Sequence, residues 1–339
     1  MNNRTWLYLW IALALFLVWS NSFVAASYLL GGEHVPAQLD WASLSTARFT
    51  LLAPICLIYS FFFRRRQSLD LLRRFPLRTP ISALLAVPAY NLALYYGQQH
   101  GIPPPVAALA SALTPLFLLL FSAVALGEPF TARKGAAFAV AISGLFIIAL
   151  SRGGFAGLPT FGLMLAITAI APISWSAHTV LSKSVVDGSK PARGAGEASA
   201  TMSGARGPRG SALDWTYLTM GLGSLPLVAL FPWHGAPELA HLHAGGWVAL
   251  LHLSVLSALI GYAVWSWLLE RLPASTVAFF VFLNPPLTLI SKFLLAAALP
   301  AIFVFHLNGQ ELAGSALALA GLAIAIWPQS ARRSQPATR

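Results

Sequence analysis

The sequence predicts an all-α polytopic membrane protein with ten transmembrane helices in two inverted five-helix repeats. Three observations carry this reading. Of the 339 residues, 57% are hydrophobic and only 9% are charged, with a mean hydropathy of +0.71. A soluble domain of this size carries about 25% charged residues. Apolar runs of about 20 residues, the length that crosses a bilayer, follow one another with short connections such as GQQHGIPPP and ERLPA. Motifs of the first half also return in the same order in the second.

The apolar runs place spans near residues 6–28, 42–63, 77–97, 104–126, 133–150, 159–182, 214–232, 246–268, 274–298 and 310–328. The first, WLYLWIALALFLVWSNSFVAASYLL, is longer than the apolar core of a signal peptide, about 7–15 residues. It therefore reads as an uncleaved span. Cys56 is the only cysteine, which excludes an intrachain disulfide and a cysteine metal cluster.

Ten spans put both termini on one side. If that side is the cytoplasm, every Lys and Arg falls in an inside segment except Arg152, in an outside loop, and Arg48 and Lys292, within spans. This is the asymmetry of the positive-inside rule. The net charge of +11 is thereby a record of topology beside an anionic leaflet, and nucleic acid is not an expected partner. The long inside loop at 187–213, which begins DGSKPARGAGEASATMSGARGPRGS, is poor in large apolar residues and reads as a flexible linker.

The repeat is seen in four ordered matches. VWSNSFVAAS at 18–27 lies over SWSAHTVLSK at 174–183, and DWASLSTARF at 40–49 over DWTYLTMGLG at 214–223. GIPPPVAALASALTPLF at 101–117 lies over RLPASTVAFFVFLNPPL at 271–287, and ISGLFIIAL at 142–150 over LAGLAIAIW at 319–327. The offsets are 156, 174, 170 and 177. The two copies cover 1–158 and 159–330, followed by a cytoplasmic tail at 331–339. Five is odd, so the second copy enters from the opposite face, as in many secondary transporters, whose sites lie at the midplane between repeats. Thr114-Pro115 and Asn284-Pro285 are matched positions near that depth. Each proline removes a donor and frees the carbonyl four residues earlier, at Ser111 and Val281, which is tolerable beside a cavity or a neighbouring helix.

LVWSNSFVAASYLL, the ARF at 47–49, TPLFLLLFSAVALGEPFTARKGAAFAVAISGLFIIAL and GYAVWSWLLERLPASTVAFFVFLNPP together resemble the EamA-like branch of the drug/metabolite transporter superfamily. The likeness covers nearly the whole chain. It implies carrier-mediated movement of a small metabolite, commonly export. One departure is that Ala298 stands where the second copy of that family often repeats the Gly-Glu of Gly127-Glu128.

Ionisable groups within spans read as functional, so Arg48 and Lys292 are candidates for an outward vestibule suited to a carboxylate. Arg48 has Asp40, Glu33 or backbone carbonyls as structural alternatives, and Lys292 has snorkelling. Asn21, Asn91, Thr114, Pro115, Asn284 and Pro285 join them as pathway candidates, with the aromatic residues Tyr90, Trp175, Tyr262 and Trp265. His178 reads as glue between helices. Glu128 reads as a partner of Arg133, Lys134 or the dipole of the helix after it. His234, Glu238, His241 and His243 are zinc-ligand types, but their spacing matches no closed site.

The sequence thus leads to a secondary-active carrier that moves a small metabolite, such as an amino acid or related compound, across a bacterial inner membrane by alternating access. Export is the expected direction. The partners considered are the substrate, the bilayer and, for a homodimer, a second copy of the chain. No cofactor, metal or catalytic residue is assigned. The rival reading is an intramembrane or lipid-modifying enzyme that uses the His-rich loop.

Overall fold

The computed structural model describes residues 3–31, 35–100, 111, 113–151, 161–188, 212–303 and 309–326, and every regular element among them is helical. The linker within 187–213 therefore lies, apart from its two ends, outside the described residues. So do the tail at 331–339, Arg152 and Glu33.

The chain opens with α1 (Asn3–Leu29), an apolar run unbroken by glycine or proline. Helix α2 (Trp41–Ile58) starts where Asp40 caps it, its carboxylate accepting from the Ser43 N–H at 2.6 Å. It ends in a π-helical turn, Tyr59–Phe63. The short α3 (Arg65–Arg74) turns Ser68 and Leu71 inward and most of its arginines outward. A π-helical turn, Leu85–Ala89, joins α4 (Arg78–Leu84) to α5 (Tyr90–Gln99). It surrounds Pro88, which has no N–H to continue the ladder. Helix α6 (Thr114–Leu126) ends at Gly127, whose φ of +65° suits a residue without Cβ.

Then come α7 (Ala132–Ser151), α8 (Phe161–Gly188), α9 (Ala212–Leu230) and the short α10 (Gly235–Leu239). Helix α11 (Ala244–Leu251) runs through a π-helical segment, His252–Ile260, into α12 (Gly261–Leu269). A 3-10 turn, Phe280–Leu283, joins α13 (Ala274–Phe279) to α14 (Asn284–Ala298), and α15 (Gly309–Ile326) is the last. Five helical stretches among the described residues are long and apolar enough to cross a membrane: Trp6–Leu29, Trp41–Phe63, Ala244–Leu269, Ala274–Ala298 and Gly309–Ile326.

Contacts at the helix ends define two faces. On one, the Arg64 guanidinium holds Asp214 through two bonds of 2.8 and 2.9 Å. Glu270 accepts from the first N–H of α9, at Ala212 (2.6 Å), and Arg133 donates to the Ile324 carbonyl near the end of α15 (2.6 Å). This is the basic face. On the opposite face, Gln99 accepts from the first N–H of α2, at Trp41 (2.8 Å), and Glu238 accepts from the Asp40 N–H (2.9 Å).

Helix α2 packs on α9, and α7 packs on α15. At the second crossing the backbones nearly touch. A Cβ added at Gly144 would lie 2.3 Å from the Gly314 carbonyl oxygen, and one at Gly314 would lie 2.4 Å from that of Gly144. Small residues permit this approach in membrane helices, where packing replaces the hydrophobic effect as the cohesive force. Gly144→Ala must therefore spread α7 from α15. The expected cost is about 1–3 kcal/mol, typical of overpacking, read as a lower melting temperature in detergent. An unchanged melting temperature would contradict the close approach.

Candidate functional site

Among the described residues, one arginine is buried in the core. Arg48 is only 3% exposed. It sits two turns into α2 and donates Nε to the Leu253 carbonyl (2.9 Å), Nη1 to Asn91 Oδ1 (2.9 Å) and Tyr95 Oη (2.5 Å), and Nη2 to Ser257 Oγ (3.3 Å). Asp40, an expected structural partner, is occupied instead at the N-cap of α2. Every partner of Arg48 among the described residues is neutral. These bonds engage four of its five N–H donors, and the Tyr262 hydroxyl, itself on the cavity wall, also lies against the guanidinium. Tyr95 accepts from Arg48, so its own hydroxyl proton remains to donate. Asn91 is held in turn by its amide, which donates to the Val87 carbonyl at 2.9 Å.

Arg48 looks into a cavity of about 70 Å³. At roughly 10–15 Å³ per water-sized occupant, this admits a polar group of a few non-hydrogen atoms. Its aromatic wall is Trp19, Tyr90, Trp175 and Tyr262, with ring centroids 4.8 Å apart for Trp175 and Tyr262, 5.5 Å for Tyr90 and Trp175, and 5.9 Å for Trp19 and Trp175. The Trp19 indole donates to the Ser257 carbonyl at 3.0 Å. It passes over Gly261, where an added Cβ would lie 2.5 Å from Nε1.

The broken helices complete the wall with Ser111, Thr114, Val281 and Asn284. Thr114 begins α6 and Asn284 begins α14, each with proline in the first turn. The expectation of a freed carbonyl at Val281 is corrected here. That carbonyl accepts from the Asn284 N–H in the 3-10 turn. A neighbouring helix holds each break. Ser20 donates to the Asn284 carbonyl and to its Oδ1, both at 3.2 Å, and Ser176 donates to the Thr114 carbonyl at 3.1 Å.

The lining reaches Gln98 and Ala26, within a turn of the helix ends on the opposite face. Toward the basic face it stops at Trp19, Trp175 and Tyr262. Beyond them Phe16, Trp265, Phe279 and Phe282 are fully buried. The cavity is thus displaced toward the opposite face.

Of the residues singled out by sequence, Arg48, Tyr90, Thr114, Trp175, Tyr262 and Asn284 line this cavity. Asn91 supports Arg48 from behind, and Trp265 packs 5.4 Å from Trp19, centroid to centroid. Pro115 is buried in the first turn of α6, and the Pro285 side chain lies outside the described residues. Asn21 donates to the Leu17 carbonyl of its own helix and borders a separate, mostly apolar groove with His252. Lys292 is half-buried two turns along α14 and does not line the cavity.

Sequence reasoning assigned no role to several lining groups, the hydroxyls of Ser22, Ser111 and Ser257 and the amide of Gln98 among them. Gln98 Oε1 and Ser111 Oγ are buried and have no hydrogen-bond partner among the described residues. No local signal marks them, because Gln98 reads as the polar end of a span and Ser111 as one small residue among many.

The other polar candidates have structural partners. Glu128 caps α13, across the repeat, and not the helix that follows it. Its carboxylate accepts from the N–H of Ala274 (2.9 Å) and Ser275 (3.1 Å) and from the Ser275 hydroxyl. Lys134 donates to that same hydroxyl at 2.8 Å. Lys183 donates to the Leu269 and Leu272 carbonyls at the end of α12 (2.5 and 3.2 Å). His178 joins α8 to Ser82 of α4. In the loop, Glu238 holds Asp40, and the His234 carbonyl accepts from Ser43 at 2.7 Å.

The EamA-like transporter model matches residues 6–150 and again 197–327. The chain belongs to the EamA-like transporter family. Its relatives cover it almost end to end. A protein named "Probable terminal-alkyne amino-acid exporter" from Streptantibioticus cattleyicolor is 27% identical over 97% of this chain and 96% of its own length. A "Probable amino-acid metabolite efflux pump" from Salmonella typhimurium is 24% identical over 96% of each. A solved crystal structure superposes with a TM-score of 0.66 at 19% identity, covering 93% of this chain and 95% of that one, which shows a shared fold. This EamA-like chain is therefore a multi-pass membrane transporter.

Proposed function

We propose that the chain is a secondary-active exporter of amino acids or related carboxylate metabolites, working by alternating access in a bacterial inner membrane. The observation that carries this is Arg48, a buried guanidinium with only neutral partners among the described residues, at the wall of an aromatic cavity. A substrate carboxylate supplies the missing counter-charge through a charge-assisted bond, and the aromatic wall receives the apolar part. The names of the relatives, two of which refer to amino-acid compounds, support the same substrate class.

Ten spans in two inverted repeats follow from the same reading, with the basic face toward the cytoplasm as the positive-inside rule requires. Its support is that contacts recur under the repeat offsets. Gly144 approaches Gly314, and Gly321 approaches Ala137, the same pair exchanged by an offset of 177. Ser20 with Asn284 becomes Ser176 with Thr114 under 156 and 170. Gln99 caps α2 on one face as Glu270 caps α9 on the other.

The test is efflux from proteoliposomes over an amino-acid and metabolite panel, with and without a pH gradient. Thr114→Ala and Asn284→Ala are each expected to slow transport about fivefold, the worth of one hydrogen bond of about 1 kcal/mol. Wild-type rates in both would remove the broken helices from the site. Lys292→Leu in the same assay decides whether that cation belongs to the pathway outside the described cavity. An enzyme using the outer loop would instead depend on His241 and His243.

A further inference from the structure

Two serine–histidine contacts lie on either side of the cavity, and the repeat exchanges them. Toward the basic face, Ser82 of α4 meets His178 of α8, with Oγ 2.7 Å from Nδ1 and the Ser82 carbonyl 3.2 Å from the same nitrogen. Toward the opposite face, Ser22 of α1 meets His252, which begins the π-helical segment after α11. Here Oγ is 3.5 Å from Nε2, and the Val18 carbonyl is 3.2 Å from it. The offset of 156 that aligns the Trp-Ser motifs carries Ser22 onto His178. The offset of 170 for the next stretch carries Ser82 onto His252. The two pairs thus occupy equivalent places with serine and histidine interchanged.

Besides the ring nitrogen used, they differ in the length of the hydroxyl–imidazole contact. The pair on the closed, basic side has a short hydroxyl–imidazole contact. The pair on the side toward which the cavity is displaced has one at the outer limit of a hydrogen bond. Ser22 itself lines the cavity, and His252 lines the groove behind it.

We propose that the two pairs are reciprocal latches of the transport cycle, made one at a time, with His178 and His252 acting as positioning residues. In the conformation seen here the Ser82–His178 latch is made. When the cavity opens to the basic face that latch parts, and the Ser22–His252 hydroxyl–imidazole contact shortens to a hydrogen bond. Each latch stabilises only one of the two states, so removing it shifts the population toward the other. This rests on the alternating-access reading above.

The test uses full-length chain in which buried Cys56 is replaced by alanine, with one reporter cysteine at a time. Ala26→Cys reports the cavity side, and Ala12→Cys, fully buried toward the basic face, reports the other. Labelling rates with a small maleimide on open membranes give the ratio of the two. His178→Ala and Ser82→Ala should lower the Ala26-to-Ala12 ratio about fivefold, the population change of one neutral hydrogen bond. His252→Ala and Ser22→Ala should raise it. His178→Ala combined with His252→Ala should return it toward the starting value. His178→Asn and His252→Gln, whose amides reproduce Nδ1 and Nε2, should restore it.

Two latches that move the ratio in the same direction, or two that leave it unmoved, would overturn the proposal. Should a histidine variant fail to fold, the paired serine variants decide by the same ratio. Substrate flux in the unaltered chain is measured beside it. Absent flux sinks the carrier reading, whereas the direction of the labelling shifts judges the latches.

Discussion

Arg48→Leu is expected to remove transport of carboxylate substrates while the protein still inserts and folds. The two halves of that statement have separate causes. A cation within a span costs about 2.5–3.5 kcal/mol on insertion scales, so leucine relieves the membrane fold of that term. Against this, Asn91 Oδ1, Tyr95 Oη and the Leu253 carbonyl lose their donor. The two effects oppose each other, and the melting temperature should move by a few degrees at most.

Transport has no such compensation. One charge-assisted bond to a carboxylate is worth about 1.5–3 kcal/mol, so its loss lowers apparent affinity at least about tenfold and up to about 150-fold. Arg48→Lys should retain part of this, because the charge remains but the planar fork that also reaches Asn91, Tyr95 and Leu253 is lost. The sharper measurement compares an amino acid with the amine that lacks its carboxyl group. The unaltered chain should prefer the acid, and Arg48→Leu should abolish the preference. Equal preference in both proteins, per folded molecule, would place the carboxylate elsewhere.

How much of this was legible beforehand depends on whether a residue's role is written in its own neighbourhood. The helical segments were, because apolar runs and basic connections are local. The expected ninth span at 274–298 coincides with a stretch found, Ala274–Ala298. Arg48 was legible because a cation inside an apolar run stands out whatever it touches. A backbone carbonyl was among its expected partners and Leu253 supplies one, but Asn91 and Ser257 come from other helices and nothing near Arg48 points to them. Glu128 shows the same limit. A carboxylate after a glycine at a helix end suggests the next helix, yet it caps one 146 residues away. Gln98 and Ser111 are ordinary residues at ordinary positions, and only their burial without partners marks them. The serine–histidine pairs lay hidden in the repeat because the exchange of residue types defeats a search for identical letters.

Gly261 is the strictest test of the site's geometry. In the sequence it is one glycine at the start of GYAVWSW, with no evident duty. In the fold it marks where α12 leaves the π-helical segment, and the Trp19 indole crosses it. Gly261→Ala puts a methyl group 2.5 Å from Trp19 Nε1, a separation that no rotation of a methyl group can relieve. Trp19 is also held on its other sides, by Phe16 at 5.2 Å and by Trp265 at 5.4 Å between ring centroids. Either the indole swings out of the wall, breaking its bond to the Ser257 carbonyl, or α12 retreats from α1. Both displace the wall that faces Arg48, because Ser257 contributes its hydroxyl to the guanidinium and its carbonyl to Trp19. The expected result is a loss of stability of about 1–3 kcal/mol and a fall in transport of more than tenfold, since misplacement of about 1 Å at a site can cost about 100-fold. Trp19→Phe removes both the Nε1 atom and its bond. Combined with Gly261→Ala it should recover part of the lost stability, but not the rate. Additive losses in the double variant would mean that the methyl group is resisted by something other than Trp19.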